Sequence, residues 1–132
     1  MRILLASAVL LLAIHPLYSQ TTAAPDPHSV PSVDAAIGTC SADFTVTDAD
    51  GKPVYNAKVR VHIAYGTFSI RKLDLEVATN VDGKARFTGL PNRLKRPLVF
   101  QASEGDREAQ ATNDVEKTCT AQLTLALKKK SQ

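Results

Sequence analysis

Apolar residues fall at every second position along most of this chain from Cys40 onward, and that spacing restricts it to sheet. Side chains on a strand alternate between two faces, so a period of two marks a ribbon with one face buried and the other wet. Cys40, Ala42, Phe44 and Val46 form the apolar face of the first such stretch, against Ser41, Asp43, Thr45 and Thr47. Val59, Val61, Ile63 and Tyr65 alternate in the same way with Lys58, Arg60, His62 and Ala64. After Gly66 the pattern restarts with Phe68 and Ile70, then shifts parity to Leu73, Leu75 and Val77, which a bulge or turn near Arg71 and Lys72 would explain. Ala85 with Phe87 and then Leu98, Phe100 and Ala102 continue it, a weaker strand spans about Arg107 to Thr112, and the last face carries Cys119, Ala121, Leu123, Leu125 and Leu127.

Turn chemistry separates these stretches: Asp48 to Pro53, Asp82-Gly83, Gly89-Leu90-Pro91 and Glu104-Gly105-Asp106. No convincing helical repeat appears outside the N-terminal apolar run. The expected fold is therefore all-β, a sandwich of about seven antiparallel strands, with a more open meander as the alternative. Val59, Val61, Ile63, Phe87, Phe100, Leu123 and Leu125 are the expected core.

The first residues have a different pattern. Arg2 precedes an apolar run from Ile3 to Ile14, followed by His15-Pro16 and a polar stretch with Ser19 and Gln20, the layout of a signal peptide. The run is short against the roughly 20 residues a membrane span needs, so the mature chain is expected to carry no transmembrane segment. Residues 1–19 are read as signal peptide, 20–36 as a Pro/Ala/Ser/Thr-rich spacer, 37–128 as the sandwich and 129–132 as a basic tail. Loss of Arg2 leaves 15 basic against 13 acidic residues, too small an excess to argue for nucleic acid. A secreted or periplasmic location follows from the leader.

Two cysteines in an exported chain favour a disulfide over a metal site, which would need further ligands at suitable spacing. Cys40 and Cys119 each share parity with the apolar face of their strand, so the expected bridge joins first and last strands and points inward.

Two separated stretches carry a family resemblance. Val46 to Val59 contains a strand, the turn Asp48-Ala49-Asp50-Gly51-Lys52-Pro53, and Ala57-Lys58-Val59 leading into the next strand. Thr79 to Pro91 reads Thr-Asn-Val-Asp-Gly-Lys-Ala-Arg-Phe-Thr-Gly-Leu-Pro. Together they resemble the carboxypeptidase regulatory-like domain, a transthyretin-like Greek-key sandwich, over about Cys40 to Leu127. Phe44, Ala85 and the stretch Asn92 to Pro97 depart from the family pattern. The resemblance implies a scaffold used in adhesion, surface display or support of an assembly, and carries no catalytic residue.

Specific chemistry finds few residues to work with. The transthyretin-like fold also hosts 5-hydroxyisourate hydrolysis, but that family's Tyr-Arg-Gly-Ser terminus is replaced by Lys128-Lys129-Lys130-Ser131-Gln132. The histidines beyond the leader are His28 in the spacer and His62 on a polar strand face. Asp48 and Asp50 have the spacing of a calcium loop, yet Gly51 comes too early and the distal acid is missing, so turn formation accounts for both. A carbohydrate platform would need exposed aromatics, and the chain has no Trp.

Arg93, Lys95 and Arg96 remain, clustered in the loop before Pro97. They are the candidate partner-binding loop, able to meet an acidic protein or anionic lipid, with a solvated loop as the plain alternative. The expectation is thus a non-enzyme with no cofactor and no metal, binding a protein or cell-envelope component of unspecified identity. A structural accessory subunit of an envelope complex is the competing reading, and a transthyretin-like small-molecule binder or hydrolase a third.

Overall fold

The computed structural model describes residues 14 and 16–131; the expected signal peptide lies largely outside them. Among the described residues nine strands form two sheets. In chain order they are β1 Ser32–Asp34, β2 Cys40–Thr47, β3 Lys58–Tyr65, β4 Arg71–Ala78, β5 Lys84–Leu90, β6 Leu98–Glu104, β7 Arg107–Asn113, β8 Thr120–Ala126 and β9 Lys128–Lys129. One sheet has the order β1-β5-β2-β8 and the other β4-β3-β6-β7-β9. The two pack face to face as a sandwich.

The period of two is realised almost residue for residue. Cys40, Ala42, Phe44 and Val46 are buried, as are Val59, Val61, Ile63, Phe87, Phe100 and Leu125. Leu123 is only half-buried, because β8 is an edge strand with a neighbour on one side. Leu73 and Leu75 on β4, the edge of the other sheet, are half-buried for the same reason.

Pairing departs from the all-antiparallel expectation in two places. Every pair in the five-stranded sheet is antiparallel, but β1 runs parallel to β5 and β8 runs parallel to β2. The parallel β2–β8 ladder starts with Ser41 opposite Thr120, so the residues just before each, Cys40 and Cys119, come side by side. Their disulfide joins Cα atoms 4.6 Å apart across 79 residues. Cys40 is buried, whereas Cys119 is exposed and not inward as its parity implies, since it lies one residue outside the edge strand β8.

The spacer is shorter than expected. Val33, Ala35 and Ile37 repeat the two-residue period inside the Pro- and Ser-rich stretch; Ala35 is buried, and Val33 and Ile37 pack against the core. Asn80 clamps the preceding turn by donating its amide to the carbonyls of His28 and Ser29. At the other end Lys129, the first residue of the expected basic tail, pairs with Arg107 of β7 beside Lys128, which pairs with Glu108. Phe68 and Ile70 are likewise not strand residues. A 3-10 turn at Thr67–Ser69 connects β3 to β4, which places the parity break just ahead of Arg71.

The two stretches that carry the family resemblance are bonded to each other. The Thr79 hydroxyl donates to the Val54 carbonyl and accepts from the Ala57 backbone N–H, and the Val46 N–H donates to the Gly83 carbonyl. Gly83 has φ of 70°, and a Cβ there would sit 2.4 Å from the Val46 carbonyl oxygen. Only glycine satisfies both conditions, so the motif residues are structural fasteners.

Candidate binding surface

The outer face of the five-stranded sheet is built from the residues that alternate with the core ones, most of them polar. On β3 these are Arg60, His62 and Ala64; opposite them in register on β4 stand Glu76, Asp74 and Lys72. Arg60 is ion-paired with Glu76, and His62 Nδ1 lies 2.6 Å from the Asp74 carboxylate. Such opposed pairs are the cross-strand contacts that stabilise a wet sheet face.

At the end of this face where β3 turns into β4, two loops rise on either side of β3. One is the Gly66–Ile70 turn. The other is the loop from Asn92 to Pro97, held by Asn92, whose carbonyl accepts from the Thr39 N–H at 3.0 Å and whose amide donates to the Thr39 hydroxyl at 2.8 Å. Leu94 packs against the core and anchors the middle of that loop. Between the loops and over the sheet lies an open concavity of about 1090 Å³, bordered by Phe68, Lys72, Lys95, Arg96, Val99 and Gln101. Lys95 Nζ sits 5.7 Å from the centre of the Phe68 ring and so ties the two loops together by a cation–π contact.

Of the three loop cations singled out in the sequence, Lys95 and Arg96 border the concavity and Arg93 does not; all three are exposed. Lys72 joins them from β4. Among the described residues none of Arg93, Lys95, Arg96 and Lys72 forms an ion pair. Phe68, Ile70 and Lys72 escaped the sequence reading as site residues. Their signal was the broken parity after Gly66, where two large apolar residues have no buried face to occupy.

The His62 and Asp74 side chains have the geometry of a base and its orienting acid. Ser69 borders the same concavity, but among the described residues Asp74 is the hydrogen-bond partner of His62 and Ser69 forms no bond to it. Among the described residues no serine, threonine or cysteine is hydrogen-bonded to the imidazole. Asp48 and Asp50 form a turn: the Asp48 carboxylate accepts from the N–H groups of Asp50 and Lys52 at 2.8 and 3.0 Å, which holds its pKa below the usual carboxylate value. Among the described residues no helix is long and apolar enough to cross a membrane.

No family model matches the chain, and no curated protein matches it. Solved structures that resemble it include catechol 1,2-dioxygenases. The 3-chlorocatechol 1,2-dioxygenase of Rhodococcus opacus aligns with a TM-score of 0.48 at 15% identity, over 78% of this chain and 65% of that one. The catechol 1,2-dioxygenase of Acinetobacter radioresistens gives 0.45 at 15% identity, over 80% and 60%. That of Pseudomonas arvilla gives 0.42 at 19% identity, over 65% and 40%. The chain thus spans less than two thirds of the length of each, and no residue role is carried over from them.

Proposed function

We propose that the chain is an exported, non-catalytic β-sandwich domain that binds a protein or envelope component, in adhesion or surface display, through the end of the sandwich formed by the Gly66–Ile70 and Asn92–Pro97 loops. The observation that carries this reading is the group of cations without carboxylate partners, Lys72, Lys95 and Arg96, held around one concavity beside exposed Phe68. Unpaired charges spaced around the end of a sheet offer a partner long-range attraction and a fixed register. The disulfide supports an oxidising compartment.

The test is cross-linking of the tagged chain in its native host, alongside a variant with Arg93, Lys95 and Arg96 all changed to Glu. Capture of a specific component by the first and its loss in the second is the expected result. Turnover of a small molecule by the purified protein would overturn the reading.

A further inference from the structure

We infer that this end of the sandwich docks on an anionic lipid bilayer, with Phe68 and Ile70 entering the interface and the surrounding cations meeting the headgroup phosphates. The inference rests on the reading of the domain as a non-catalytic envelope-binding module and names what it binds. Phe68 and Ile70 are 79% and 73% exposed, at the tip of a turn, while every other phenylalanine is buried. Phe68 and the following Ser69 both have positive φ, 58° and 54°, a conformation non-glycine residues rarely take. A backbone that holds a large apolar side chain outward against its own preference points to a use for that side chain.

The charge around the tip is one-sided. Residues 66–73 and 91–101 contain Arg71, Lys72, Arg93, Lys95 and Arg96 and no acid. The two segments are separated in sequence by most of β4 and all of β5, and the fold joins them at the Lys95–Phe68 contact. The acids of this sheet face stand farther from the tip: Asp74 and Glu76 on β4, which line the far part of the concavity, hydrogen-bonded to His62 and ion-paired with Arg60 respectively, and Glu108 on β7. An acidic peptide would satisfy the cations and leave Phe68 and Ile70 in water. A bilayer takes both, because the acyl boundary lies directly beneath a plane of phosphates, where an apolar tip and a cationic collar each find their medium.

The test uses the chain from Gln20, which retains every strand and the disulfide and lacks the apolar run that would itself bind lipid. It is sedimented with phosphatidylcholine vesicles, with or without about a quarter phosphatidylglycerol. Binding to the anionic vesicles that falls steeply between about 0.1 and about 1 M salt is expected. Changing Phe68 and Ile70 together to Ser should weaken it about tenfold or more, and their exposure makes the change tolerable to the fold. As the chain has no tryptophan, Phe68→Trp supplies a single reporter whose emission should shift to the blue on anionic vesicles, while Val81→Trp, on the distant β4–β5 turn, should not shift. Equal binding to both lipids, an unshifted Phe68→Trp, or unchanged binding by the double Ser variant overturns the proposal. Binding of soluble poly-glutamate without vesicle binding also overturns it, and leaves the envelope-binding reading standing with an acidic protein as partner.

Discussion

Phe44 of β2 and Phe100 of β6 meet across the two sheets with ring centroids 4.7 Å apart, and Phe87 of β5 completes a triangle with each of them, at 5.7 and 5.4 Å. All three rings are buried, so this cluster is the centre of the inter-sheet contact. Phe100 is the contribution of the five-stranded sheet to it. Its replacement by alanine removes a ring from between two others and leaves a cavity that neither sheet can close, at a cost of about 3 to 5 kcal/mol. Urea unfolding of Phe100→Ala should show a lower midpoint at unchanged slope.

The Cys40–Cys119 bridge closes a loop of 79 residues. In the chain-entropy account a loop of that length restricts the unfolded chain enough to contribute about 4 to 5 kcal/mol, a large share of what a domain of this size possesses. Cys119 is exposed, so a reductant reaches it from solvent without prior unfolding. Denaturant curves with and without dithiothreitol should be separated by about that free energy, and Cys119→Ser should match the reduced protein.

Much of this architecture is legible in the sequence because β2 keeps one face wholly apolar and the other wholly polar, and β3 and β6 hold the same alternation with few exceptions, Ala64 and Val99 outward and Glu104 at the end of β6. The period of two says which face a residue occupies; it does not say which strand lies alongside, or in which direction. For that reason the parallel pairing of β2 with β8 is absent from the pattern, although the inward parity of Cys40 pointed to its partner. β1 is hidden by composition, since Val33, Ala35 and Ile37 are small or few among prolines and serines. At the candidate surface, Arg93, Lys95 and Arg96 stand out as a charge cluster between two prolines. Their neighbour Phe68 does not, because the contact depends on two loops from different parts of the chain arriving on either side of β3.

His28 ties the N-terminal segment to the sandwich by a 2.9 Å contact from Nδ1 to the Asp82 carboxylate. That hydrogen bond, the Asp82 charge and, more weakly, the Asp26 charge favour the imidazolium against slight desolvation, so its pKa is raised above the ordinary value. A raised folded-state pKa means the contact's contribution is full below the unfolded value of about 6.5 and is lost as pH rises through the folded value. Proteolytic nicking near residues 26–29 should therefore be slower at acid than at alkaline pH within the range where the fold is intact. An NMR titration should give His28 a higher pKa in the wild type than in Asp82→Asn; equal values would remove the contact.

Asp48 carries the opposite sign. Its carboxylate accepts the Lys52 and Asp50 N–H groups, and these bonds, with the nearby Lys52 and Arg107 charges, hold its pKa below the ordinary value against the opposing desolvation. The stability it supplies is present above the unfolded carboxylate value of about 3.9 and is lost as pH falls through the lower folded value. Because both of its bonds go to backbone within the Asp48–Lys52 turn, its role is turn closure, and Gly51, at φ of 81°, supplies the left-handed step that the closure needs. Asp48→Asn keeps a side-chain acceptor and should retain most of the thermal stability at neutral pH, whereas Asp48→Ala leaves two N–H groups to water and should lower Tm. If the turn instead served as an oxygen-ligand loop, millimolar calcium would raise the wild-type Tm and spare Asp48→Ala. The expected result is a Tm that calcium leaves unchanged in both proteins, measured by calorimetry at neutral pH.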